Sequence, residues 1–214
     1  MNKNIGCLIA DARIKYYSLR FCLLLLLIAT HGNATSYDEP KVVYIQPLGH
    51  VEKSDLNLVK SAIEHFYHYK CIVKTEVSFT KDILADSKTR YEANRILSKY
   101  NTNENLLILT GKDIACANPE RHSTEWGIFG LGYRPGTTCV ISTFRLKRNA
   151  SAQLFHSRLI KVCLHEIGHN LGLKHCTSGD KRCFMNDARG TIKAVDQEQI
   201  FLCEKCRKAL SPTK

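Results

Sequence analysis

Methionine is almost missing from this chain of 214 residues; it occurs at Met1 and Met185 alone. A later methionine start therefore cannot account for the length of the N-terminal region. Long apolar runs are missing too. The longest, residues 21–29 (FCLLLLLIA), falls far short of the ~20 residues that cross a bilayer as a helix. No G-x-x-x-x-G-K-[ST] sequence occurs, so the glycine-rich stretch 126–138 (WGIFGLGYRPGTT) reads as a loop or edge strand and not as a phosphate loop. Dense Lys/Arg runs and basic helices are absent as well. The net charge of +11 is therefore that of a generally basic surface, drawn to anionic surroundings but without a dedicated nucleic-acid site. There is no internal repeat, low-complexity segment or linker. With 44% hydrophobic residues the chain has material for a core, and its length suits one domain.

Residues 1–34 stand apart. Lys3, Arg13, Lys15 and Arg20 precede the short apolar run, and the small residues Gly32-Asn33-Ala34 follow it. Basic flank, short apolar core and small-residue site describe an export signal cleaved near Ala34, with a retained membrane anchor as the alternative. The expected division is an export signal over 1–34 and a single domain over 35–214. The leader holds four of the 31 basic residues and one of the 20 acidic ones, leaving the remainder at a net +8. The expected location is outside the cytoplasm, periplasmic or extracellular. Asn33-Ala34-Thr35 and Asn149-Ala150-Ser151 fit the glycosylation pattern, a weak signal.

Beyond the leader, Val42–Gln46 reads as a buried strand ended by Pro47-Leu48-Gly49. Ser54 or Asp55 can cap a helix with Leu56, Val59, Ile63 and Phe66 on one stripe. Alternation over 71–79 predicts a second strand. Residues 89–100 read as a helix, Leu106–Thr110 and Cys139–Thr143 as strands, and Ser151 caps a long helix running to about Leu171. Helical pattern resumes over 196–210. Strand, helix, strand, helix, strand implies an α/β domain with a mainly parallel sheet and crossover helices.

The chemistry concentrates in residues 165–176, HEIGHNLGLKHC. His165 and His169 are four apart, so on a helix their imidazoles share one face and can hold one ion. Glu166 follows about 100° further round, beside the ion, where it can take a proton from water activated there. Gly172 can adopt φ > 0, end the helix and swing the chain back, bringing His175 in as a third ligand. Three imidazoles with an open position describe a catalytic zinc site.

A second constellation follows it. Of ten cysteines, Cys176, Cys183, Cys203 and Cys206 form two pairs, the second a C-x-x-C, the usual grammar of a closed structural zinc site. On a helix after Asp196, Cys203 and Cys206 share one face. Cys176 adjoins His175, so the two sites would be coupled, with the structural site pinning the turn that delivers the third histidine. In an oxidising compartment the same four cysteines could pair as disulfides. For Cys71, Cys116, Cys139 and Cys163, buried thiols and two disulfides are alternatives.

From His165 onward the chain resembles the archaemetzincins, a family of zinc metallopeptidases with the signature H-E-x-x-H-x-x-G-x3-C-x4-C-x-M-x17-C-x-x-C. This chain supplies His165, Glu166, His169, Gly172, Cys176, Cys183, Met185, Cys203 and Cys206. It departs from the pattern in having six residues between Cys176 and Cys183, and in its export signal, since familiar members look intracellular. Looser similarity through IQPLGHV (45–51), RYEANRIL (90–97) and VISTFRL (140–146) extends the resemblance over most of 41–210.

The resemblance implies one compact metzincin-like domain, a mixed sheet packed on the active-site helix with the cleft beneath an edge strand. It also implies a C-terminal subdomain stapled by the four-cysteine zinc site, two zinc ions per chain, Glu166 as base, and Met185 in a tight turn beneath the catalytic metal. The expected partner is a peptide or protein substrate, bound by a monomer with no membrane span apart from a retained leader and no nucleic acid. The alternative is a non-enzymatic basic zinc module for nucleic acid or an acidic partner, which leaves Glu166 and the third histidine without a task.

Overall fold

The computed structural model describes residues 41–210, so the leader, its cleavage site and Asn33 lie outside the described residues. Within them are strands β1 (Val42–Leu48), β2 (Lys70–Val73), β3 (Tyr91–Glu92), β4 (Asn105–Thr110), β5 (Ile114–Asn118), β6 (Ser123–Ile128), β7 (Gly130–Gly132) and β8 (Thr138–Ser142). The α-helices are α1 (Lys53–Tyr67), α2 (Ala93–Tyr100), α3 (Thr143–Leu146), α4 (Ala152–Asn170), α5 (Ile192–Gln197) and α6 (Glu204–Leu210).

A five-stranded sheet in the order β2-β1-β4-β8-β7 forms the frame. Its first four strands are mutually parallel and β7 runs antiparallel to β8, so the sheet is mixed, as expected. The two-residue period of the strands divides the core. Val43, Ile45, Leu107, Leu109, Cys139 and Ile141 face α1 and α4, while Leu48, Leu106, Ile108 and Val140 face α2. Both faces of the central strands are buried, which is why they read as continuous apolar runs.

Several elements differ from the sequence expectation. The strand expected over 71–79 pairs regularly only as far as Val73, then touches the sheet through an isolated bridge from Val77 to Leu48. Pro47 of β1 has no N–H to give, and the Gln46 side chain donates instead to the Thr75 carbonyl at 2.6 Å. α1 starts earlier than Ser54 or Asp55 and has Glu52 as its uncapped N-cap. Residues 91–92 form a short strand before α2, whose first turn is closed by Glu92 accepting from the Arg95 N–H at 2.6 Å. A second sheet, β3-β5-β6, includes a β5–β6 hairpin that the sequence did not announce. The helix expected over 196–210 is two helices, α5 and α6, with residues 198–203 between them. All eight cysteines of the described residues are free, so Cys71, Cys116, Cys139 and Cys163 form no disulfides, and Cys71, Cys139 and Cys163 are buried in the core.

α4 is the spine of the molecule. Ser151 caps it by accepting from the Leu154 N–H at 3.2 Å, as expected. Tyr67 at the end of α1 donates to the Leu164 carbonyl at 2.8 Å and holds the two helices together. On its other flank Arg158, only 3% exposed, makes a two-pronged pair with Asp196 of α5 at 2.7 and 2.8 Å. The same guanidinium donates to the carbonyls of Leu146 and Arg148. Hydrogen bonding to Arg158 holds the Asp196 carboxyl below its ordinary range. A lowered folded-state pKa stabilises the protein above the unfolded value of about 4, and this is lost as pH falls through the folded value. Asp196→Asn is therefore expected to cost about 3 kcal/mol at pH 7 by leaving Arg158 buried without its partner. The deficit relative to the native protein should shrink below pH ~4. Urea unfolding of both proteins at pH 7 and pH 3 measures this, and an equal deficit at both would contradict the ion-pair account.

Candidate active site

The i, i+4 spacing on α4 places His165 and His169 side by side, their ring centroids 4.5 Å apart. The helix ends at Asn170, and Gly172, with φ +95°, turns the chain where a side chain would be strained. His175 returns to lie 5.4 Å from His165 and 4.9 Å from His169 between ring centroids. One ring nitrogen from each of the three falls within a 4.8 Å cluster. The motif thus assembles as its spacing implied.

On the two helical histidines the second ring nitrogen is committed. His165 Nδ1 donates to the Phe184 carbonyl at 2.6 Å and His169 Nδ1 to the Leu173 carbonyl at 2.7 Å. A carbonyl only accepts, so each Nδ1 carries the proton and each Nε2 keeps a lone pair. His175 Nδ1 lies 3.9 Å from Asp187 Oδ2, beyond hydrogen-bond distance, so the acid acts on this ring through its charge. Burial lowers all three imidazole pKa values, that of His165 to about 3, so all are neutral near pH 7. Three neutral imidazoles are a donor set suited to zinc.

Glu166 is buried beside them. Burial pushes its carboxyl up to about 8 without a cation, and a dication alongside acts in the opposite direction. β7 lies directly over it. A Cβ on Gly130 would come within 2.7 Å of Glu166 Oε1, and one on Gly132 within 2.8 Å of the Glu166 carbonyl. Two glycines in a three-residue strand thus let the backbone approach the carboxylate, so the glycine-rich stretch is an edge strand fitted to α4. Beneath the histidines, Met185 is fully buried with its sulfur against Gly168 of α4. The Met185 carbonyl accepts from the Cys176 N–H at 2.7 Å.

The second cluster forms next to it. One sulfur each from Cys176, Cys183, Cys203 and Cys206 lies within a 4.8 Å group. Cys176 and Cys203 sulfurs are 3.5 Å apart, against the ~3.8 Å edge of a tetrahedron with zinc–sulfur bonds of ~2.3 Å. The residues fit a four-thiolate zinc site. Cys203 is not on the helix with Cys206, as the sequence suggested, but immediately before α6, where its carbonyl accepts from the Arg207 N–H. Burial opposes ionisation of Cys203, yet hydrogen bonds from Ser178, the Cys206 backbone and the neighbouring thiols hold its pKa down to about 6, whereas burial pushes Cys183 up to about 11. The two added residues in the Cys176–Cys183 segment fall in a loop with its own bonding, Asp180 accepting from the Arg182 guanidinium at 2.7 Å.

Sequence reasoning missed Asp187, which faces His175, and Gly130 and Gly132 as a pair fitted to Glu166. It also missed Glu198, a buried acid lining the cavity beside the histidines. Only the glycine content signalled any of these.

The model of peptidase family M54 matches residues 124–212. An archaemetzincin of Halobacterium salinarum is 26% identical over 179 residues, covering 78% of this chain and 98% of that protein. One from Haloarcula marismortui is 38% identical over 89 residues, covering 38% of this chain and 50% of its own length. The crystal structure of the Archaeoglobus fulgidus archaemetzincin, a complex with malonate, superposes with a TM-score of 0.68 at 28% identity over 78% of this chain and 98% of that one. Residues 124–212 thus match peptidase family M54, and in sequence and in fold the chain is similar to archaemetzincins, which supports a zinc metallopeptidase.

Proposed function

We propose that this protein hydrolyses peptide bonds, with His165, His169 and His175 holding a catalytic zinc and Glu166 acting as general base. The observation that carries the reading is the convergence of three neutral imidazoles beside one buried carboxylate under an edge strand. Zinc bound there supplies Lewis acidity, polarising a carbonyl and lowering the pKa of coordinated water towards ~7. The chain's own groups do the rest. Glu166 takes a proton from the attacking water and hands it to the leaving amine. Phe184 O and Leu173 O fix His165 and His169 in the tautomer and orientation that ligation needs. β7 ends the five-stranded sheet, and its backbone can pair with an extended peptide laid across the cleft.

The four thiols are proposed to hold a second, structural zinc, giving two ions per chain. Incubating the zinc-loaded protein with an unbiased peptide library tests the activity. Cuts that vanish on chelation support it, and a silent library with zinc bound overturns it. The leader pattern of residues 1–34 supports export. Expression of the full chain in a secreting host should yield a new N-terminus near residue 35, and an intact Met1 in all recovered protein would contradict cleavage.

A further inference from the structure

The cavity beside the histidines measures about 440 Å³ and is lined by Ile128, Leu131, Val162 and Val195 together with Glu198. Hydrolysis has no use for Glu198. It follows the C-terminal end of α5, is 7% exposed, and its Oε1 is buried without a hydrogen-bond partner. A buried carboxylate oxygen without a donor is uncommon and unfavourable.

The neighbouring cation does not supply the donor. Lys161, fully buried on α4, directs its ammonium to the carbonyls of Val195 and of Glu198 itself, the latter at 3.0 Å. Among the described residues it makes no ion pair with the Glu198 carboxylate. Of the other acids nearby, Asp196 is satisfied by Arg158 and Asp187, half-exposed on the same cavity, faces His175, so Glu198 is the buried acid left over. Two arginines also line the cavity, but Arg134 acts on His169 and His175, and Arg189 also lines the adjoining recess with Trp126. The charge that acts on Glu198 is that of Lys161. Burial pushes the Glu198 carboxyl up to about 8 despite Lys161, so a further cation brought to it would favour the ionised form. Apolar walls with one carboxylate suit a long side chain with methylenes and a terminal cation.

We infer that Glu198 determines specificity in a substrate pocket that takes a lysine or arginine side chain, its methylenes against Val162 and Val195 and its cation on the Glu198 carboxylate. This rests on the peptidase reading for its substrate, a peptide, but its test does not require turnover.

The probes are acetylated and amidated hexapeptides of alanine with a single lysine, norleucine or glutamate moved through the six positions, so that lysine is the sole cation. Their binding to zinc-loaded Glu166→Ala protein is measured by calorimetry, with and without the added change Glu198→Gln. At one position the lysine peptide is expected to bind at least ~10-fold more tightly than its norleucine counterpart, and Glu198→Gln should bring that ratio to about 1. Equal binding of lysine and norleucine at every position, or a lysine preference that survives Glu198→Gln, overturns the inference. If the glutamine variant does not fold, Glu198→Ala serves, and a lysine preference that survives it likewise overturns the inference. Cleavage of the same peptides by the native protein is read separately. Hydrolysis with no lysine preference removes this pocket and leaves the peptidase, whereas Glu198-dependent lysine binding without hydrolysis removes the peptidase and leaves the pocket.

Discussion

Glu166→Ala is expected to leave zinc bound and to lower kcat by about 10²–10⁴-fold, the usual contribution of a positioned acid–base group. His165 and His169 are oriented by Phe184 O and Leu173 O and not by Glu166, so the metal site should survive the change. Truncation also removes an acid from an apolar setting, which favours stability if anything. The expected pattern is therefore wild-type zinc content and an unchanged or raised melting temperature, with turnover nearly gone. Initial rates on any peptide that the native protein cuts, beside metal analysis of the same samples, measure both quantities. A variant with full activity would refute the assignment, and one that loses zinc would show that Glu166 supports the ligands.

The second large effect is expected from the thiol cluster. Cys203→Ser and Cys206→Ser should each reduce zinc from two ions per chain to one. They should lower stability by on the order of 5 kcal/mol, since a structural zinc site contributes folding free energy directly. For a domain of this size that is a fall of roughly 10–20 °C in melting temperature. Activity should fall with it. Cys183, Phe184 and Met185 are consecutive, and they respectively enter the thiol cluster, hold His165 Nδ1 and receive the Cys176 N–H. Cys116→Ser is the control, because Cys116 is a half-buried free thiol outside the cluster. Native mass spectrometry and thermal melts of the three variants are sufficient. Two ions retained in Cys203→Ser, or a single ion with disulfides among the four cysteines of the native protein, would remove the structural site.

What the sequence revealed was mostly local. His165, Glu166 and His169 could be placed because helix geometry fixes their relation within one turn, and Gly172 announced the turn by its conformational freedom. Leu106–Thr110 and Cys139–Ser142 were legible because strands buried on both faces leave unbroken apolar runs. The failures were non-local. The β5–β6 hairpin is only partly buried along most of its length, so its alternation is faint. The break between α5 and α6 places Cys203 3.5 Å from Cys176, a contact between residues 27 positions apart that local pattern does not encode. Glu198 looked like one more surface acid, because its burial arises from α4 and the cavity walls, which its own segment does not encode.

One adjacency ties the two clusters together. His175 belongs to one cluster and Cys176 to the other, with a single peptide bond between them and the Cys176 N–H fixed to Met185. No spacer exists in which one site could drift while the other stayed. The two residues by which this chain exceeds the family signature lie in the Cys176–Cys183 loop and not at the junction. A residue inserted between His175 and Cys176 would therefore be expected to disturb both clusters at once, whereas one in the 177–182 loop would move neither.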